Sequence, residues 1–299
     1  MMENSKFSRF NPNYGSLVRS NGVSSTIIDN YDAKIELFPG SGEILSAAYF
    51  YKYFDKPAEY YRLDQENNGR GFITISNSDW AKVRGWEFEL RKNLGFVYEG
   101  LPFLENVYVS GNLTLQKSEV RARELQYVQN AAGVDSMYYK YLKYPRALYG
   151  QVPLLYNVGI QYTGKKLGLN LSLNHAGYKT FITGIEPAFV EYERPRTQMD
   201  AQISYKFLKG KMETKLNMSN LLDAPFRYFI NDPTTYEPKP GNEGKVNLEW
   251  NDAYAYKFGF SEKFEAGYTD KVTNRRVGDR ETATRYIGRT FSFSLSYNF

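Results

Sequence analysis

The 299-residue chain contains no cysteine, which excludes a disulfide framework and a thiolate metal site. It contains one histidine, His175, so multi-histidine metal sites are excluded and any histidine-based triad rests on that residue alone. No apolar run approaches the ~18 residues of a spanning helix, and the mean hydropathy is −0.56. A formal net charge of +5 is too mild to argue for nucleic acid, and Arg275-Arg276 is too short a basic run to change that. The opening residues, Met1 to Phe10, lack the basic start, apolar stretch and small-residue cleavage site of a secretory signal. That reads either as a cytoplasmic protein or as a chain beginning in the middle of a longer one. No glycine-rich phosphate loop and no paired-carboxylate site stands out, so no catalytic residue, metal or cofactor is assigned and the chain is not expected to be an enzyme.

What the chain has in excess is aromatic surface. Tyr and Phe number 27 and 20 against only 3 Trp, and aromatics make up 17%. Such a chain has an aromatic-rich β core or exposes aromatics to something other than water. The hydrophobic period decides, and it is two. Phe291, Phe293, Leu295, Tyr297 and Phe299 alternate with Thr290, Ser292, Ser294, Ser296 and Asn298. The same alternation of large apolar with polar residues recurs at Tyr31–Leu37, Trp86–Arg91, Val107–Gln116, Leu154–Tyr162, Leu167–Asn174, Met199–Phe207 and Met212–Ser219, with a less regular run at Ile44–Phe54. Successive side chains of a strand point to opposite faces. These runs predict about nine strands near the ~9–11 residues that a tilted membrane strand needs, whereas soluble strands are commonly ~5–6 residues.

The connections alternate in length. Pro39–Gly42, Gly164–Lys166 and Lys209–Lys211 are tight turns, and Asn93–Glu105 is intermediate. Between them lie the long segments Asp55–Asp79, Glu119–Gly150, Thr180–Arg196 and Asp223–Gly288. Short turns at one end and long loops at the other describe an outer-membrane barrel with short periplasmic turns and long extracellular loops. The apolar face then meets lipid, the polar face lines the lumen, and Tyr and Trp gather at the interfaces. Glu87, Glu89, Arg91, Asp200, Lys206, Glu213 and Lys215 fall on the polar face. They either line a pathway, neutralise one another or contact a plug.

Several phrases, in order over roughly residues 25–299, carry a resemblance. They include Asn30–Glu36 leading into Phe38–Ile44, Gly85–Lys92, Arg146–Gln151 before Leu155–Tyr162, Tyr192–Arg196, Lys215–Asp223 and the terminal Leu295, Tyr297 and Phe299. On these the chain resembles the C-terminal barrel half of TonB-dependent outer-membrane receptors of the Bacteroidetes-type branch. The resemblance implies an all-β, antiparallel transmembrane barrel segment, with about nine strands of a roughly 22-strand barrel. It implies an extracellular-loop segment over residues 1–29, a barrel portion over 30–299, and a plug domain lying outside this chain. It places the protein in the Gram-negative cell outer membrane, as part of a receptor that binds and imports a siderophore, haem, vitamin or glycan, and unable to transport alone. Its partners would be outer-membrane lipid, the barrel-assembly machinery reading Leu295, Tyr297 and Phe299, and a TonB-type energy transducer acting only through the absent N-terminal part.

Loop Glu119–Gly150 is rich in Tyr and Arg, types that suit recognition. Arg121, Arg123, Tyr138, Tyr139, Arg146 and Tyr149 are its candidate ligand contacts. Loop Asp223–Gly288 adds Tyr254, Tyr256, Phe258 and Phe260, whose alternation suggests strands continuing past the membrane. His175, near the top of a strand, is a possible haem ligand, though a lone histidine is more simply a surface or lumen residue. Two other readings stay open. One is a structural or adhesive outer-membrane barrel that completes itself by oligomerising. The other is a soluble β-sandwich, either carbohydrate-binding or enzymatic.

Overall fold

The computed structural model describes residues 8–11, 16–20, 23–63, 72–98, 100–129, 135–141, 146–184, 190–230, 234–236, 248–250, 268–269, 276–277 and 280–297. Nine strands form one antiparallel sheet: β1 (Ile27–Leu37), β2 (Ile44–Asp55), β3 (Trp80–Asn93), β4 (Val107–Arg121), β5 (Leu154–Thr163), β6 (Leu167–Ala176), β7 (Arg196–Phe207), β8 (Met212–Ser219) and β9 (Thr290–Tyr297). Each lies beside its neighbour in the chain, so the sheet is a continuous meander from β1 to β9. None of the described helices is long and apolar enough to cross a membrane, which leaves crossing by strands untouched.

The register shows why these sequences pair as they do. Along one row Ile35 faces Ala47, Ala47 faces Phe88, Phe88 faces Leu113, Leu113 faces Tyr156 and Tyr156 faces His175. A later row runs Val107, Tyr162, Leu169, Ile203, Leu216, Phe293. A slip of one residue at any strand would turn its apolar set to the other face. The resulting apolar face is continuous and uncovered: Ile35 is 72% exposed, Leu171 42% and Phe293 70%. A soluble monomer rarely exposes apolar surface on that scale. In a membrane-spanning barrel it is the face that meets lipid.

The opposite face is polar. Asn157 donates to Asn112 at 2.7 Å, Gln202 to Asn217 at 2.5 Å and Asn217 to Ser292 at 3.3 Å. Some charged groups of this face pair with one another: Lys34 Nζ lies 2.6 Å from Glu36, and Lys215 Nζ lies 3.0 Å from Glu213. Phe50 departs from the pattern. It is buried on this face, over Gly85 of the neighbouring strand. A Cβ at Gly85 would stand 2.7 Å from the Phe50 ring and 2.5 Å from the Leu115 carbonyl oxygen, so only glycine admits this contact.

The strand ends separate as the connection lengths imply. Pro39–Gly42, Gly164–Lys166 and Lys209–Lys211 turn at one end, joined there by a 3-10 turn, Pro102–Asn106. Gly42 takes φ 72° in its turn, and Leu208 and Lys209 take φ 51° and 55° in theirs. At the other end the long segments are structured in their own right. A hairpin, Ala58–Leu63 with Phe72–Asn77, is extended by Ser16–Ser20 running parallel to its second strand. Lys179–Ile182, Glu191–Glu193, Phe226–Ile230 and Arg280–Arg285 form a four-stranded sheet, and Arg123–Gln129 pairs with Asp135–Tyr141. These short strands, with Ser8–Asn11 and Ser16–Ser20 inside residues 1–29, stand where the connection lengths and the resemblance suggested loops. Glu191, Tyr192 and Glu193 are all buried, so no alternation marks them. The Tyr254–Phe260 run lies outside the described residues.

The fully buried apolar clusters also lie at this end. Tyr61, Ala81, Val120 and Ala122 pack with Phe54 and Leu148; Val190, Tyr192 and Phe229 pack with Tyr178. The wall gains its apolar burial elsewhere, from whatever covers its outer face.

Candidate functional site

Ala81, Val83, Ser118 and Val120 point to the polar-face side of β3 and β4 at their long-loop ends, and all four are buried. The segment from Arg146 to Val152 covers them. Arg146 bridges Val120 through its backbone; Gln116 Nε2 donates to the Val152 carbonyl at 2.7 Å and Ser118 Oγ to Gln151 at 2.8 Å. The loop therefore folds inward over the wall, narrowing the mouth from the lumen side.

An ion pair holds it there. Arg146 donates through Nη1 and Nη2 to both carboxylate oxygens of Glu59, at 2.9 and 2.8 Å, and Nη2 also donates to the Tyr61 hydroxyl at 2.8 Å. Ser78 donates its hydroxyl to the same carboxylate, and the Tyr149 backbone N–H donates at 2.9 Å. The Glu59 side chain is 0% exposed and that of Arg146 3%. Burial alone would raise the Glu59 pKa, but the Arg146 guanidinium and these hydrogen bonds outweigh it and hold the carboxyl below its ordinary value. Burial pushes the Tyr61 hydroxyl up to about 12.

A second network ties in the next loops. Thr183 donates its N–H to the Tyr60 carbonyl and accepts from the Arg62 N–H, both at 2.8 Å. Arg62 Nη2 lies 3.1 Å from the buried Glu191, which also accepts from the Thr282 hydroxyl. Lys179 pairs with Glu193 at 2.5 Å. Tyr228 is pushed up to about 12, by burial first and then by Glu193. The long segments are thus cross-linked into one cap above the wall.

The six candidate contacts fall in different places. Arg146 is spent inside the Glu59 cluster and faces no solvent. Tyr149 is half-buried, its ring tilted against that of Tyr60 at 5.3 Å between centroids, and burial raises its pKa. Arg121 is half-exposed, 4.5 Å over the Tyr141 ring and 3.6 Å from Asp79; Arg123 is mostly buried and also 3.6 Å from Asp79. Tyr138 and Tyr139 sit on the Asp135–Tyr141 strand, and their side chains lie outside the described residues, as does Phe299. Leu295 and Tyr297 lie on the exposed apolar face of β9. Glu59, Tyr61, Ser78 and Glu191 carry the site's architecture without any sequence signal, because Glu59 meets Arg146 across 87 residues. His175 lies on the apolar face, stacked on Tyr156 at 4.6 Å and hydrogen-bonded through Nδ1 to Thr197 at 2.8 Å. It therefore points away from the lumen. No group of three or more His, Asp or Glu suited to a metal ion occurs among the described residues.

A recess of about 220 Å³ opens on the polar face near the short turns, lined by Asn170, Gln202, Lys206, Glu213 and Lys215 among others. It is a wall feature of the lumen, remote from the loop cap.

Solved structures similar to this chain include iron-uptake receptors. The ferric enterobactin receptor of Pseudomonas aeruginosa is 15% identical, with 95% of this chain and 33% of that chain covered and a TM-score of 0.45. The ferric-catecholate import receptor Fiu of E. coli K12 is 16% identical, covering 69% and 24%, at 0.44. The FrpB iron transporter of Neisseria meningitidis is 10% identical, covering 79% and 30%, at 0.43. The chain spans a third or less of the length of these receptors. No curated protein matches it. A family model described as "TonB dependent receptor-like, beta-barrel" matches residues 6–221, well over half of the sequence. The chain belongs to the TonB-dependent receptor-like β-barrel family.

Proposed function

We propose that this chain supplies wall strands and the external loop cap of a Gram-negative outer-membrane receptor that takes up a scarce nutrient. The observation that carries this reading is the pairing of two features. An apolar face runs in register across nine strands, and the long loops gather at one end, folded inward by a buried ion pair. The family is one of receptors and transporters rather than enzymes. The nutrient is of the siderophore, haem, vitamin or glycan class.

The wall spans residues 30–299 and belongs to a barrel of about 22 strands of the Bacteroidetes type. Residues 1–29 belong to the external cap. A plug domain carried outside this chain couples uptake to a TonB-type transducer, so the chain alone does not transport. The barrel-assembly machinery reads Leu295, Tyr297 and Phe299 at the end of β9. Tyr149, Arg121 and Arg123, with Tyr138 and Tyr139 on the adjoining hairpin, border the mouth as ligand contacts. Arg146 acts there by fixing the loop.

Proteolysis of intact cells tests the reading. Added protease should cut within 121–153 and 177–195 and spare the turns at 39–42, 164–166 and 209–211. The protein should remain in the membrane fraction until detergent is added. A chain that stays soluble without detergent, or is cut at both ends alike, overturns the proposal.

A further inference from the structure

Above the apolar belt, the outward face of β3 and β4 changes character. Trp86 faces Leu115, the last apolar row; the next row toward the long loops sets Arg84 opposite Lys117. Lys82 then faces Glu119, and Trp80 faces Arg121. Arg84, Lys117 and Arg121 are exposed, and Lys82 Nζ lies 4.8 Å over the Trp80 ring. At the long-loop end of these two strands four cations share their face with one strand carboxylate, Glu119, and Arg121 also lies 3.6 Å from Asp79. Asp55 and Asp29 lie farther along the same face on β2 and β1, opposite Trp80 and Tyr53.

Directly opposed like charges in an antiparallel pair sit with Cβ atoms about 4.5–5.5 Å apart and destabilise the sheet. Among the described residues this is the one row of the wall in which two cations oppose each other. Neither Arg84 nor Lys117 forms an ion pair with any described residue. The inner side of the same strand ends is filled by Val83, Ser118 and the Arg146–Val152 segment, so both cations point away from the lumen. An aromatic rim lies at and just beneath their level: Tyr31 and Tyr51, 6.3 Å apart, continue the same row, with Tyr51 opposite Arg84, and Tyr49 and Trp86 pack at 5.0 Å in the row below. Aromatic rims mark the level of lipid headgroups, and cations at that level attract anionic lipid.

We propose that Arg84 and Lys117, flanked by Lys82 and Arg121, seat the phosphate-bearing headgroup of an outer-leaflet lipid whose acyl chains lie on Tyr49, Trp86, Phe88 and Leu115. The anion relieves the repulsion between the two opposed cations. The apolar surface directly below selects an amphiphile over free phosphate. The inference rests on the membrane placement proposed above, not on which nutrient is imported.

The test uses the full chain folded in neutral detergent, titrated with micelles carrying a phosphatidic acid against micelles of phosphatidylcholine. Arg84→Gln/Lys117→Gln should weaken phosphatidic acid binding about thirtyfold, at about fivefold for each cation. Lys34→Gln/Lys215→Gln, which removes equal charge from the polar face, should change it less than about twofold. Without lipid, the Arg84→Gln/Lys117→Gln chain should melt higher than the parent, because the repulsion is gone. Equal weakening by both pairs, unchanged binding, or competition by inorganic phosphate at matched concentration overturns the proposal. A chain soluble without detergent fails at the membrane placement instead, a separable result.

Discussion

Removing the Arg146 guanidinium is the sharpest perturbation available to the cap. At 2.8 Å and an effective dielectric of ~20, the Glu59–Arg146 attraction is about 6 kcal/mol before desolvation of either group. Most of that is offset by burial, but deleting one partner leaves the other charge stranded, at about 3–5 kcal/mol. Arg146→Met should therefore loosen the cap by that amount, read as lost hydrogen-exchange protection over 56–63 and 146–152. The wall strands should keep theirs, since their pairing does not involve this cluster. Replacing both members, Glu59→Leu with Arg146→Met, should recover most of the loss. The pH response supplies a second sign. In the parent, the Glu59 pKa is lowered, so its contribution is present above the ordinary value of 4.5 and is lost as pH falls through the lowered one. In Arg146→Met, burial, the largest influence on Glu59, is opposed only by the Ser78 and Tyr149 hydrogen bonds and raises the pKa. The contribution is then present at low pH and lost as pH rises, so acidification from neutrality should tighten the variant's cap. If the single and double variants loosen equally, or the pH response keeps its sign, the buried pair does not hold the loop.

Other outcomes follow from the same geometry. Gly85→Ala should destabilise the wall by about 1–3 kcal/mol, because its Cβ meets Leu115 O and the Phe50 ring; urea unfolding in detergent measures it, and Phe50→Ala in the same chain should recover part. Leu171→Arg, on the exposed apolar face of β6, should cost about 2–4 kcal/mol in lipid, while Asn170→Arg on the polar face should cost little. Refolding into vesicles separates the two, and equal effects would refute the face assignment. Tyr61, raised to about 12, keeps its proton when folded; its contribution is complete below pH 10 and declines as pH rises through about 12. Cap protection should fall across that interval in the parent and less steeply in Tyr61→Phe.

The strands of the wall were legible because alternation is their whole code. Met212–Ser219 pairs in register with Thr290–Tyr297 although more than seventy residues separate them, since both present apolar side chains at every second position. The pattern failed at strand ends. Trp80–Gly85 and Lys117–Arg121 belong to β3 and β4, yet apart from Trp80 their outward residues are charged and no apolar period marks that face. The short cap strands were illegible for the opposite reason. They are too short for a period to register, and Glu191–Glu193 is buried on both faces as well. The candidate contacts suffered a related loss: residue type alone did not separate Arg121, half-exposed over Tyr141, from Arg146, enclosed by Glu59.

The absence of cysteine and of apolar helices, the aromatic excess and the period of two together determined an antiparallel sheet with one lipid-compatible face. That followed from the sequence because strand geometry converts local order directly into faces. Which loop turns inward, which arginine is buried and which cations stand opposed were decided only by the tertiary structure. Those facts depend on contacts such as Glu59 with Arg146, where the energy comes from burying two charges together and neither sequence neighbourhood records it.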